Sequence, residues 1–115
     1  MVMCSDETTN LTTGAAKRTF LMPFSMRVTE VLASLTTVAT GATLLAVDIN
    51  KNGVSILSTV ITIDASEFDS STAATPAVIS NQNLTKYSTI TVDIDAVGNT
   101  TPGKGLKVYL IGTRV

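Results

Sequence analysis

An Asn-Gly dipeptide between two apolar, strand-like runs constrains this chain more than any other feature in it. Residues 43–50 form one run, residues 54–58 the other, and Lys51-Asn52-Gly53 joins them. Asn and Gly tolerate the positive φ angles that a two-residue primed turn demands, and that turn has the twist of paired strands. The segment predicts a β-hairpin. The rest of the chain must then supply strands that bury the hairpin's apolar face.

The composition provides them. Twenty of the 115 residues are threonine. With Val and Ile they favour pleated strands, because a branched β-carbon crowds a helix. A first strand is expected over residues 17–24, through Thr19, Phe20, Leu21 and Met22 to Pro23. Residues 26–37 read two ways. Val28, Val31, Leu32 and Leu35 have helical spacing. Met26 and Val28, then Val31, Ala33 and Leu35, alternate as a strand with one extra residue. The β-branched content and the absence of helical neighbours favour a strand with a bulge near Thr29 or Glu30.

Further strands are expected at residues 60–64, 77–80, 89–95 and 106–111. In the third of these, Ile90, Val92 and Ile94 alternate with Thr89, Thr91 and Asp93, the pattern of a half-buried strand. In the last, Leu106, Val108 and Leu110 share a face. Residues 65–75 are small, polar and turn-like, residues 81–88 read as a loop, and residues 98–105 hold Pro102 and three glycines. Seven to nine short strands, with turns about every ten residues and no helix, predict an all-β, antiparallel β-sandwich of jelly-roll-like type. Residues 15–115 are expected to form it as one domain, a length sufficient for a real core. Residues 1–14 are polar and Thr-rich and read as an extended N-terminal arm. Val47-Asp48-Ile49-Asn50 echoes Val92-Asp93-Ile94-Asp95 at an offset of 45 residues, which suggests two similar strand corners.

Charge is sparse. Charged residues are 15% of the chain and the net charge is −1, against about 25% charged in an average domain. No basic patch stands out along the chain, so nucleic acid is not an expected partner. Low charge suits a protein that lives in an assembly. Cys4 is the only cysteine, which rules out an intrachain disulfide and fits a free thiol in a reducing cytoplasm. No apolar run approaches a membrane span or a signal-peptide core, so no membrane association is expected.

Motifs that could carry chemistry have plainer readings. Asp48-Ile49-Asn50-Lys51-Asn52-Gly53 opens like a calcium loop, but the position of the bidentate Glu holds Thr59. A hairpin turn explains it. Asp93 and Asp95 fall on one strand face, about 7 Å apart, and read as a solvated face. Gly103-Lys104-Gly105 leads into a strand rather than a helix, unlike a phosphate loop. With no histidine, no base is placed for a serine or cysteine nucleophile. The sequons at Asn10, Asn83 and Asn99 carry no weight in so Thr-rich a chain. No catalytic residue, metal site or cofactor is expected, and no enzymatic activity.

Six segments of residues 19–114 carry a resemblance. They are Phe20-Leu21-Met22-Pro23 and residues 29–37, 47–57, 71–80, 90–98 and 105–114. Together they resemble a group of small structural proteins of tailed bacteriophages. The resemblance implies a jelly-roll module that decorates a capsid or forms part of a fibre, and it brings no catalytic residues. The expected function is a capsid cement or decoration protein on the virion surface, assembled in the host cytoplasm. Its expected partners are sister copies in a homotrimer and the major capsid protein. The arm residues Met3, Asp6, Glu7, Thr8, Asn10 and Leu11 are the expected partner contacts. The alternative is a receptor-binding or structural module of a tail or head fibre, for which a glycan would be the partner.

Overall fold

A computed structural model describes residues 2–3 and 8–115, with only the backbone of Val2 and Met3. Cys4, Asp6 and Glu7 lie outside the described residues, and with them the expected free thiol and two of the expected arm contacts. Among the described residues eleven strands follow one another: β1 (Val2–Met3), β2 (Gly14–Leu21), β3 (Met26–Ser34), β4 (Leu45–Lys51), β5 (Val54–Ser55), β6 (Leu57–Thr59), β7 (Ile61–Ile63), β8 (Val78–Ile79), β9 (Asn83–Leu84), β10 (Thr89–Ala96) and β11 (Lys107–Arg114). The fold is all-β, without a helix among the described residues, and every strand pairing is antiparallel. A four-stranded sheet runs β1-β11-β3-β9. A five-stranded sheet runs β2-β10-β4, with β5 and β7 both along the outer side of β4. β6 and β8 form a separate ribbon.

The hairpin forms as its chemistry requires. Asn52 has φ 50° and Gly53 has φ 84°, so both turn residues are left-handed, and Asn50 faces Ser55 across the pair. Beyond Ser55 the expected strand over residues 54–58 is divided. Buried Ile56 donates its N–H to Ile49 O at 2.9 Å. β6 then leaves β4 to pair with β8, and β7 returns to β4 at Ala46 and Val47.

The bulge expected in β3 is at Thr29. Glu30 pairs with Ile111 and Val28 with Gly112, which leaves Thr29 without a facing residue. One extra residue keeps Val28 buried and brings Val31 and Ala33 back to the same face. The Thr29 hydroxyl donates to Ile111 O at 3.2 Å and closes the gap. Gly112 is required opposite, because a Cβ there would lie 2.0 Å from Arg27 O.

β4 and β10 explain the sequence echo. The two similar segments are hydrogen-bonded neighbours, with Asp48 directly across from Asp93 and Ile49 across from Val92. β2 begins at Gly14, three residues before the expected start at residue 17. Its first half bulges, since Arg18 pairs with Val92 and Gly14 with Ile94. The residues of that bulge, Ala15 and Ala16, have no alternation by which to announce it. β9 lies inside the expected loop over residues 81–88, and two residues are too few to show a period.

One apolar cluster joins the two sheets. Val28, Val31, Ala33, Leu84 and Val108 come from the four-stranded sheet. Leu45, Val47, Ile49, Ile61, Ile63, Ile90, Val92 and Ile94 come from the five-stranded one. Each fully buried aliphatic side chain stabilises the fold by about 1.5–3 kcal/mol relative to exposure.

Candidate functional site

The N-terminal residues carry the expected partner contacts. The backbone of Val2 and Met3 adds as β1 to the outer edge of β11, opposite Val108 and Lys107. Leu11 is 4% exposed and belongs to the core cluster, and its N–H donates to Gly103 O at 3.0 Å. Gly103 sits at φ 93°, so the glycine turn over residues 98–105 is the seat for Leu11. Thr8 and Asn10 are exposed. The structure thus separates a surface pair, Thr8 and Asn10, from a buried anchor, Leu11.

Asp48 of β4 and Asp93 of β10 are engaged by protein donors. Asp93 accepts from Ala16 N at 2.7 Å and from Asn50 Nδ2 at 2.8 Å, which ties the β2 bulge to the sheet. Asp48 accepts from Ile49 N at 2.8 Å and from Ser55 Oγ at 2.6 Å. Asn52 Oδ1 accepts from Thr89 N at 3.0 Å. The oxygens that resemble a calcium loop are therefore spread along a hairpin and hold it together. Among the described residues no group of three His, Cys, Asp or Glu converges as a metal site would. Asp95 is set apart from the register between β10 and β4. Desolvation, then the charges of Asp48 and Asp93, raises its carboxyl above the ordinary range.

A cleft of about 390 Å³ lies between β3 and the chain over residues 61–82. Thr29, Glu30, Thr62, Ser70, Ser71 and Gln82 give it polar walls, and Val31 and Ile61 are its buried apolar residues. Ser70 fixes one side: its hydroxyl accepts from Ala33 N and its N–H donates to Ala33 O, each at 3.0 Å. Such a hollow offers hydroxyls and one carboxylate to a polar ligand.

The fold also makes a surface that sequence order hides. Arg27, Lys51, Lys86 and Arg114 come from four separate parts of the chain, and pairing brings them to one end. Arg27 lies opposite Thr113 and Asn83, and Lys51 Nζ donates to Asn83 O at 3.0 Å. Lys86 N donates to Ser25 Oγ at 2.9 Å, and Val115 N donates to Ser25 O at 3.0 Å. The expectation that no basic patch exists is corrected here. It rested on linear order, and no window of the sequence contains these cations together.

Tyr87 belongs to this end, with the Lys86 ammonium 4.9 Å from its ring centroid. It is 70% exposed and has φ 69°, a conformation that costs a bulky L-residue about 1–2 kcal/mol. The surrounding hydrogen bonds enforce it. Tyr87 N donates to Met22 O at 2.8 Å, Met22 N to Ser88 O at 3.0 Å, and Ser88 N to Thr85 O at 3.1 Å. Ala16, Asn52 and Ser66 share the left-handed region with Tyr87, and strained backbone of this kind clusters at ligand clamps and active sites in proteins generally, which makes Tyr87 a candidate position. No protein family, curated protein or solved structure matches the chain.

Proposed function

We propose that this chain is a structural protein of a tailed-phage virion, a jelly-roll-like β-sandwich that acts as a capsid cement or decoration protein. In this reading it works without a cofactor and without catalysis, as a homotrimer on the outer capsid, assembled in the host cytoplasm. Its partner is the major capsid protein. Binding the assembled shell, but not the dissociated subunits, stabilises the shell by mass action. Two things support the reading: the resemblance of six sequence segments to phage structural proteins, and two antiparallel sheets that share one core.

The observation that carries it is the N-terminal strand. Val2 and Met3 occupy a sheet edge on β11, while Leu11 anchors the following chain in the core. A short edge strand tethered this way is suited to pairing in trans, by strand addition to a sister copy or a capsid subunit. Residues 1–7 can be deleted without touching Leu11. The expected result is a folded protein, judged by its melting curve, that no longer decorates emptied capsids. Decoration at wild-type occupancy would overturn the proposal.

The cleft beside β3 favours a second reading, a receptor-binding module of a fibre. A glycan array separates the two. Specific glycan binding that is lost in Ser70→Ala supports the fibre reading, and a blank array supports the cement reading.

A further inference from the structure

The net charge of −1 conceals a separation of charge along the molecule. The end that carries Arg27, Lys51, Lys86 and Arg114 has no Asp or Glu side chain in the segments that build it, residues 21–27, 51–54, 82–89 and 112–115. The partners of the four cations are all neutral: Gln82 Oε1 for Arg27, the Asn83 carbonyl for Lys51, the Tyr87 ring for Lys86 and the Phe24 ring for Arg114. Their charge therefore faces outward uncompensated.

The loop over residues 64–72 has the opposite character, with Asp64, Glu67 and Asp69 and no Lys or Arg. Their donors are neutral too. Asp64 accepts from Ala74 N, Glu67 from the Thr72 hydroxyl, and Asp69 from the N–H and hydroxyl of Ser71. The Ser71 hydrogen bonds hold the Asp69 carboxyl below the ordinary range, so it is an anion at neutral pH. Glu67 Oε2 is shielded from solvent and has no hydrogen-bond partner. Lys104 and Lys107 stand on neighbouring chain at this end, at the pairings with Thr37 and Ser34.

The two regions lie at opposite ends of the strands. β3 starts at Met26 beside the cations and ends at Ser34, which bridges to Asp69. At about 3.3 Å per residue, β3 separates them by on the order of 25 Å. That is several times the ~8 Å screening length at physiological salt. Within one molecule the two ends do not neutralise each other: one presents four cations, and the other presents the three carboxylates of residues 64–72 with Lys104 and Lys107 beside them.

Apolar groups reinforce the match. Seven large apolar residues are exposed among those described, and four of them, Leu21, Val54, Tyr87 and Val115, belong to the basic end. Phe68, 58% exposed, lies in the acidic loop. There Glu67, Phe68, Asp69, Ser71 and Thr72 line an open hollow of about 310 Å³. One end offers a rigid protruding aromatic beside cations, and the other offers an acidic hollow with an aromatic wall. Aromatic and Arg residues are the groups that dominate protein interfaces.

We propose that copies of this chain associate head to tail, with the Lys86–Tyr87 turn of one seated in the acidic Glu67–Phe68–Asp69 hollow of the next. Such an interface is heterologous, since it uses two different patches. It closes into a ring if the rotation permits and otherwise extends as a chain. It gives the trimer proposed above a physical contact, yet it rests on charge and topology alone and is tested without any capsid.

Sedimentation of the full chain tests it. The wild type should self-associate at about 20 mM salt and dissociate by about 500 mM. Reversing the basic end (Lys86→Glu with Arg114→Glu) should weaken association ~tenfold or more, and so should reversing the acidic end (Glu67→Lys with Asp69→Lys). Melting curves report whether the variants fold, and Lys86→Gln with Arg114→Gln serves as a milder pair that should give a partial loss. Mixing the two reversed proteins is decisive. Each retains one native patch, so the mixture should form pairs that neither protein forms alone. A wild type monomeric at low salt would overturn the proposal. So would a mixture that fails to pair, or Lys86 and Arg114 binding an anionic polymer such as heparin while the protein stays monomeric. Failure here leaves the capsid-decoration result untouched, because that assay reads a different contact.

Discussion

The β4–β10 pair and the β3–β11 pair hold equivalent central positions in their sheets, but they are built differently. Between Val47 and Lys51, β4 meets β10 residue for residue, with Val47 and Ile49 on one strand and Ile90, Val92 and Ile94 on the other all buried. β3 and β11 change phase halfway, at the unpaired Thr29 between the Glu30–Ile111 and Val28–Gly112 pairs. The regular pair derives its order from burial: a one-residue slip would move Val47 and Ile49 to solvent and Asp48 into the core. The bulged pair depends on local fit, on one glycine and one hydroxyl, to let two phases coexist in a strand. One pair is robust to backbone detail and sensitive to lost volume, and the other is the reverse.

Three substitutions, one of them with a control, probe that contrast in order of decreasing effect. Ile49→Ala removes a fully buried side chain and should cost about 2–5 kcal/mol, read as a lower midpoint in urea unfolding. A cost under 1 kcal/mol would show that the regular pair does not depend on its volume. Gly112→Ala adds a Cβ 2.0 Å from Arg27 O and 2.9 Å from the Val28 Cα. Backbone atoms cannot yield as a flexible side chain does, so we expect a loss of about 1–3 kcal/mol from a single methyl group. The same melts on Gly53→Ala, where nothing lies within 4 Å of the added Cβ, separate this clash from backbone strain.

Asp95→Asn should have the smallest effect, and its sign is opposite. The folded state raises the Asp95 carboxyl, first by desolvation and then through Asp48 and Asp93. Just above the ordinary carboxylate range the folded protein therefore binds more protons at this site than the unfolded chain does, and stability falls as pH rises through that window. The neutral variant escapes the penalty. It should melt slightly above wild type at pH 7, by an amount reduced because the site is exposed and screened. The difference should close near about pH 3, where the wild-type carboxyl is protonated in both states. A variant less stable at pH 7 would contradict the assigned direction.

The same contrast governs how much was readable beforehand. Regular alternation maps directly onto pairing, so residues 89–95 and the Asn52-Gly53 hairpin were legible and agree with β10 and with the β4–β5 turn. In β3 the phase change made the apolar spacing look helical, and branched side chains resolved the ambiguity. The interruption between β5 and β7 was not legible, because Ile56 and Leu57 continue the apolar run while the backbone changes partner. Nor was the basic end, since Phe24, Lys51, Tyr87 and Arg114 meet only through long-range pairing. Tyr87 carried no local mark in the sequence. Its positive φ follows from the clamp at Met22, 65 residues away along the chain.

The division of β5, β6 and β7 also bears on solubility. Residues 54–63 read Val-Ser-Ile-Leu-Ser-Thr-Val-Ile-Thr-Ile, ten residues without a charge or a proline. As one straight edge strand, such a run would template the stacking of further chains into fibrils. Instead two short pieces lie against β4, and the middle piece is turned away and tied to β8. No long stretch of its backbone is presented in register to an incoming strand. The apolar run is thus presented as strands of two, three and three residues, shorter than the roughly six or seven that fibril stacking uses.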